Sequence, residues 1–128
     1  MSGENKTCPF CDNDDKKILE TKNAFVISDK YPVTKNHALI IPKRHVESYF
    51  DLTPEEYIDC IVMIKTAKKT LCELDKTISG FNIGVNDGED AGQTISHCHI
   101  HLIPRRKGDV KEPSGGVRHI IPRKGFYQ

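Results

Sequence analysis

The sequence predicts an α+β fold: an antiparallel sheet of about five strands with one long helix. Three observations predict it. From Ser96 to Pro104 the small or branched apolar residues Cys98, Ile100 and Leu102 alternate with His97, His99 and His101, the two-residue period of a half-buried strand. Further short stretches, around residues 18–28, 37–41 and 80–86, are rich in branched residues and bounded by turn formers. One stretch alone, 54–74, carries apolar residues at helical spacing. A chain of 128 residues suffices for one domain with a modest core, so residues 1–128 are expected to form a single unit.

In chain order, Cys8-Pro9-Phe10-Cys11 comes first. A Cys-x-x-Cys is half of a zinc site or a redox pair; no βαβ pattern surrounds it, which weakens the redox reading, and two free thiols remain the bland alternative. Zinc needs two further ligands, for which His45 and His97 are candidates. Ile18–Thr21 and Ala24–Ser28 read as a hairpin around Lys22-Asn23, ended by Asp29. His37–Ile41 reads as a central strand bounded by Pro42, and a short helix is expected near Val46–Phe50. Thr53 as N-cap, Pro54 at the first helical position and Glu56 closing a capping box begin the long helix. Its expected stripe is Tyr57, Ile61, Ile64, Ala67, Leu71 and Leu74, flanked by Ile58 and Val62, with Cys60 and Cys72 as small buried hydrophobes. An apolar arc that wide predicts packing on a partner as well as on the sheet, hence a homodimer through 54–74. Gly80–Asn86, with Phe81, Ile83 and Val85 on one face, should pair antiparallel with the histidine strand. Beyond Pro104, 107–116 reads as loop and Val117–Pro122 as a short extra strand or ordered tail.

Composition bounds the function. With 37% apolar residues and no long apolar run, neither a membrane-spanning helix nor a secretory segment is expected. Five cysteines, an odd number without an export signal, argue for reduced thiols and the cytoplasm. Net charge is +1, yet the tail 105–128 is basic: Arg105, Arg106, Lys107, Lys111, Arg118, Arg123 and Lys124 face only Asp109 and Glu112. Such a cluster suits a polyphosphate better than a long nucleic acid, although a solvated charged face explains it as simply.

Three histidines in register offer nucleophiles, general acids and phosphate-binding groups at neutral pH. The block from Asn86 to Pro104 resembles the histidine triad family, whose signature alternates three histidines with apolar residues; here Cys98, Ile100, Leu102 and Ile103 fill the apolar positions, after Ala91-Gly92-Gln93-Thr94. The resemblance implies that His99 attacks the α-phosphorus of a nucleotide, and that His101 binds phosphate and holds the His99 ring through its backbone carbonyl. Asp29 would bind ribose, Asn86, Gln93 and Thr94 the phosphates or leaving group, and His37 would support the triad from beneath. It also implies a structural zinc site of Cys8, Cys11, His45 and His97, with residues 1–15 as a zinc-binding N-terminal segment. Where this chain has Asn36 before His37 the family often has glycine, and Asn also tolerates a left-handed backbone.

The implied activity is hydrolysis of a dinucleoside polyphosphate, with a purine nucleotide as substrate and AMP as product. The chain has Pro104-Arg105 after the triad, as the polyphosphate hydrolases of the family do, and lacks the Gly-Gly of its phosphoramidases. Adenosine phosphoramidate hydrolysis is the nearer alternative. A metal-dependent hydrolase built on His-x-His-x-His and a regulatory nucleotide-binding protein without turnover are the alternatives from other classes. Residues 109–124 are expected to fold over the phosphate site of this chain or of a neighbouring subunit.

Overall fold

The structure is a computed structural model; it describes residues 8–11 and 16–127. The chain folds into a five-stranded antiparallel sheet: β1 (Leu19–Glu20), β2 (Ala24–Ser28), β3 (Ala38–Pro42), β4 (Gly80–Gly84) and β5 (Ile100–Arg105), in the order β1-β2-β3-β5-β4. One helix, α1 (Pro54–Leu74), crosses one face. Of the segment 1–15, residues 1–7 and 12–15 lie outside the described residues.

Alternation along the strands separates two faces with different work. Ala24, Val26, Ala38, Ile40, Ile100 and Leu102 meet Cys60, Met63, Ala67 and Leu71 of α1 in the main core. The opposite parity, Phe25, Ile27, Leu39 and Ile41, packs with Cys8, Phe10 and Ile95. Since Leu39 stands opposite His101 in the ladder, this second face also carries the histidines. Three elements are shorter than the sequence suggests. The strand before Thr21 is Leu19–Glu20, β4 ends at Gly84, and β5 begins at Ile100, leaving His97 and His99 ahead of the ladder. There the His97 N–H turns back to the Ile95 carbonyl and the Cys98 N–H bonds to Val46, so the backbone groups a strand would need are already used.

The capping box forms as expected: Thr53 accepts from the Glu56 N–H and the Glu56 carboxylate from the Thr53 N–H. The expected stripe holds in part, with Ala67 and Leu71 buried and Tyr57 and Ile64 packed half-buried against the cores. Glu56, Cys60, Met63, Ala67 and Leu71 face inward, whereas Ile61 (57% exposed), Leu74 (76%), Ile58 and Val62 face outward, and Cys72 is half-buried. The cause lies at the helix start. The cap and a bidentate bond from Arg44 hold Glu56 inward, turning the first half of the helix about one residue from the stripe read by hydropathy. Cys60 behaves as a buried hydrophobe, its thiol pushed up to about 11 by burial.

The short helix expected near Val46–Phe50 is one 3-10 turn, Tyr49–Asp51, whose start bonds to the Asp87 carboxylate. Val117–Pro122 forms no strand; Gly116–Ile120 is a 3-10 turn resting against β4. His119 fills the space between Gly115 (φ 96°) and Gly125, so a side chain at either glycine would collide with the ring or the facing backbone.

Candidate active site

Four donors converge at one end of the histidine face. Cys8 Sγ lies 3.4 Å and Cys11 Sγ 3.5 Å from His97 Nδ1, and Cys11 Sγ lies 3.0 Å from His45 Nδ1. All four ligand atoms fall within 4.8 Å of one another. A tetrahedral ion bound at about 2.0–2.3 Å sets its ligands about 3.3–3.8 Å apart, so the group fits one. The protonation of His97 agrees. Its Nε2 lies 2.8 Å from the Pro42 carbonyl, which can only accept, so the proton sits on Nε2 and the Nδ1 lone pair faces the thiols. His97 is 0% exposed, and burial lowers its pKa, favouring that neutral ring.

Beside this group opens a cavity of about 520 Å³. Pro9, Phe10, Ile27, Leu39 and Ile95 give it an apolar wall; Asp29, His37, Asn86, Thr94, His99 and His101 supply polar groups. Its histidines form a directed set. His99 Nδ1 lies 2.8 Å from the His97 carbonyl oxygen; the proton is therefore on Nδ1, and Nε2 presents a lone pair. On the other side, the Val33 N–H donates to His37 Nδ1 at 3.2 Å, placing the His37 proton on Nε2, 2.9 Å from His101 Nδ1. His101 accepts there and so carries its own proton on Nε2. Burial, followed by the neighbouring rings of His99 and His37, lowers the pKa of His101, with Asp29 opposing. The cavity thus sets Nε2 of His99 beside the Nε2–H donor of His101.

The same bonds decide two questions about metals. The three triad histidines do not share one ion, because both ring nitrogens of His97 turn elsewhere, Nδ1 to the thiols and Nε2 to the Pro42 carbonyl. Asp29, His37 and His101 also gather within 4.8 Å. There the Val33 N–H occupies His37 Nδ1 and leaves the proton on Nε2, the atom that would have to ligate.

Most residues expected at the site meet here, with three differences. Gln93 does not line the cavity. Its amide donates to the Glu47 and Ile95 carbonyls and accepts from the Gly88 N–H, pinning the 88–95 loop. The His99 ring is held by the His97 carbonyl and not by that of His101, because residue 97 precedes the ladder and its carbonyl can accept a side chain. No residue of 109–124 lines this cavity. Two of the seven cations of the basic cluster are also paired: Arg105 with Asp109 and Asn82, and Arg106 with Asp75, Thr77 and the Lys35 carbonyl. Sequence reasoning missed Phe10, whose ring stands edge-on to His97 and His99 at 5.7 and 5.1 Å. Its signal was its place between two metal-type cysteines.

A five-stranded antiparallel sheet whose β5 follows two site histidines and carries a third defines a histidine triad protein. The chain belongs to the HIT domain family, which it matches over residues 11–108. It is 39% identical over 95 residues to the asymmetrical bis(5′-nucleosyl)-tetraphosphatase of Schizosaccharomyces pombe, covering 74% of this chain and 52% of that protein. It is 35% identical over 94 residues to the bis(5′-adenosyl)-triphosphatase of Dictyostelium discoideum, covering 73% and 62%. The chain therefore spans about half the length of the first and less than two thirds of the second. A zinc-bound histidine triad family protein from Mycobacterium smegmatis superimposes with a TM-score of 0.72 at 35% identity, covering 80% of this chain and 78% of that one. Among the described residues no helix is long and apolar enough to cross a membrane.

Proposed function

We propose that this chain is a nucleotide hydrolase that cleaves a dinucleoside polyphosphate at the α-phosphorus through a nucleotidyl-histidine intermediate, releasing AMP. The observation that carries this reading is the His99 ring, whose Nδ1–H is fixed on the His97 carbonyl so that Nε2 faces the cavity as a lone pair. A base enters the apolar wall of Phe10, Ile27 and Leu39, and Asp29 accepts from the ribose hydroxyls. Nε2 of His99 forms a bond to the α-phosphorus while the bond to the bridging oxygen breaks, and the rest of the substrate leaves. His101 Nε2–H, Thr94 and the Asn86 amide donate to the charge growing on the phosphoryl oxygens. Water then breaks the N–P bond and restores His99. The protons on His99 Nδ1 and His101 Nε2 follow from hydrogen bonds already made, so little reorganisation of these rings precedes attack.

Cys8, Cys11, His45 and His97 would hold zinc. With four protein ligands the ion supplies structural cross-linking and leaves no position for substrate. The outward Ile58, Ile61 and Val62, with Ile83 on the edge strand β4, support a homodimer through α1 and that edge.

The test is turnover of diadenosine tetraphosphate beside adenosine 5′-phosphoramidate, without added metal, by wild type and His99→Ala. The reading expects faster hydrolysis of the tetraphosphate, abolished in the variant. Preference for the phosphoramidate would shift the assignment to the amidase branch. Turnover of neither, with AMP still bound, would leave a binding protein.

A further inference from the structure

The turn Cys8-Pro9-Phe10-Cys11 faces two sites at once. Its outer residues, Cys8 and Cys11, point their sulfurs at His97 and His45, while its inner residues, Pro9 and Phe10, line the cavity that holds His99. Cys8 and Phe10 are both buried, in one cluster with Phe25, Ile27, Leu39 and Ile41. Movement of the turn that carries Phe10 away from the cavity therefore also moves the sulfurs on either side of it.

A second connection runs through His97. Its Nδ1 belongs to the four-donor group, its Nε2–H is anchored on Pro42, and its carbonyl oxygen accepts from His99 Nδ1. One residue thus joins the metal ligands to the ring that presents the nucleophilic nitrogen. The His97 ring also touches Phe10 edge-on, closing a loop of contacts from thiol to base wall to nucleophile and back.

We propose that metal at Cys8, Cys11, His45 and His97 and nucleotide in the His99 cavity bind cooperatively, each raising the affinity for the other through Phe10 and His97. The inference rests on the nucleotide and metal reading above and extends it: the metal helps to form the nucleotide site besides cross-linking the chain. The physical basis is ordering. A metal that fixes both ends of a four-residue turn removes in advance the freedom its middle would otherwise lose when a base packs on Phe10. Linkage then requires the converse, since a nucleotide that holds Phe10 and His99 in place holds the sulfurs and His97 in the geometry the ion needs. Coupling between sites falls typically at about 5–150-fold, and contacts this direct should give at least about 5-fold.

Two measurements on the full chain test this. In the first, AMP is titrated calorimetrically into zinc-loaded and zinc-depleted protein, and zinc affinity is measured by competition with a chelator with and without saturating AMP. The proposal expects AMP to bind at least about 5-fold more tightly to the loaded form, and zinc affinity to rise by the same factor. In the second, cobalt replaces zinc and its absorption bands are followed as AMP is added, which reads the coordination sphere of folded, loaded protein even where the depleted chain unfolds. A band shift that saturates with AMP occupancy is expected. AMP binding with equal affinity to both forms, or binding that leaves the cobalt bands unchanged, overturns the coupling and leaves the nucleotide and metal readings standing. Absence of AMP binding in every form overturns the nucleotide reading, absence of tight metal binding overturns the metal reading, and either takes the coupling with it.

Discussion

Replacing Glu56 by Gln tests the helix start and, through it, the support of the metal group. The Glu56 side chain is 6% exposed and accepts three bonds: from the Thr53 N–H at 2.8 Å, and from Arg44 Nε and Nη2 at 2.9 Å each. Arg44 precedes His45, so the pair ties the chain carrying one metal ligand to the first turn of α1. Glutamine keeps one accepting oxygen and sets its NH₂ against donors. Full burial would make the loss larger, but Arg44 is 47% exposed and screened by water, which leaves about 1.5–2 kcal/mol. For a chain of this length that is a drop in Tm of about 5–8 °C. The effect has a pH signature. Hydrogen bonds from Arg44 hold the Glu56 carboxyl below its usual value of 4.5, against the opposing effect of burial. On lowering the pH through that value the unfolded chain binds a proton the folded chain still refuses, so the stabilisation is complete above about 4.5 and is lost below it. Thermal unfolding of wild type and Glu56→Gln from pH 7 to pH 3 should show a gap that narrows toward acid. A gap that is absent at pH 7, or constant down to pH 3, would refute this account of the helix start.

Other substitutions separate structural from functional roles. Arg106→Ala should lower Tm and leave KM within about twofold, since Arg106 ties β5 to the end of α1; a large rise in KM would return it to the substrate. Leu102→Ala, at the centre of the sheet-helix core, should cost about 3 kcal/mol by denaturant unfolding, and a cost below about 1 kcal/mol would mean that the core is looser than described. Ile61→Glu should change the sedimentation mass from two chains to one, and a wild-type mass of one chain would remove the dimer from the proposal.

The sequence showed most clearly what is local and periodic. Alternation at Ile100 and Leu102 marked β5, and Thr53, Pro54 and Glu56 marked the helix start. Asn36 does adopt the left-handed backbone that its place before His37 suggested, with φ 71°. The donor atoms of Cys8, Cys11, His45 and His97 do converge, because strand order brings distant parts of the chain to one end of the sheet. What stayed hidden depends on competition for partners. Nothing in Gln93 itself shows that its amide is spent on Glu47, Ile95 and Gly88, nor does a run of arginines show that Asp75 and Asp109 will neutralise it. The helix face misled for the same reason: hydropathy ranks Ile61 above Glu56, and the Arg44 pair reverses their positions.

The central claim is that His99 Nε2 becomes covalently bonded to the substrate α-phosphorus. The most direct measurement is rapid quenching of the enzyme in alkaline denaturant during turnover of diadenosine tetraphosphate, which preserves an acid-labile N–P bond, followed by mass spectrometry of the peptide spanning 97–101 kept at alkaline pH. The account predicts an adenylyl group on His99, absent from His99→Ala, and a fall in kcat of at least about 10⁴-fold in that variant. Turnover by His99→Ala near the wild-type rate, with no adduct on any histidine, would contradict it.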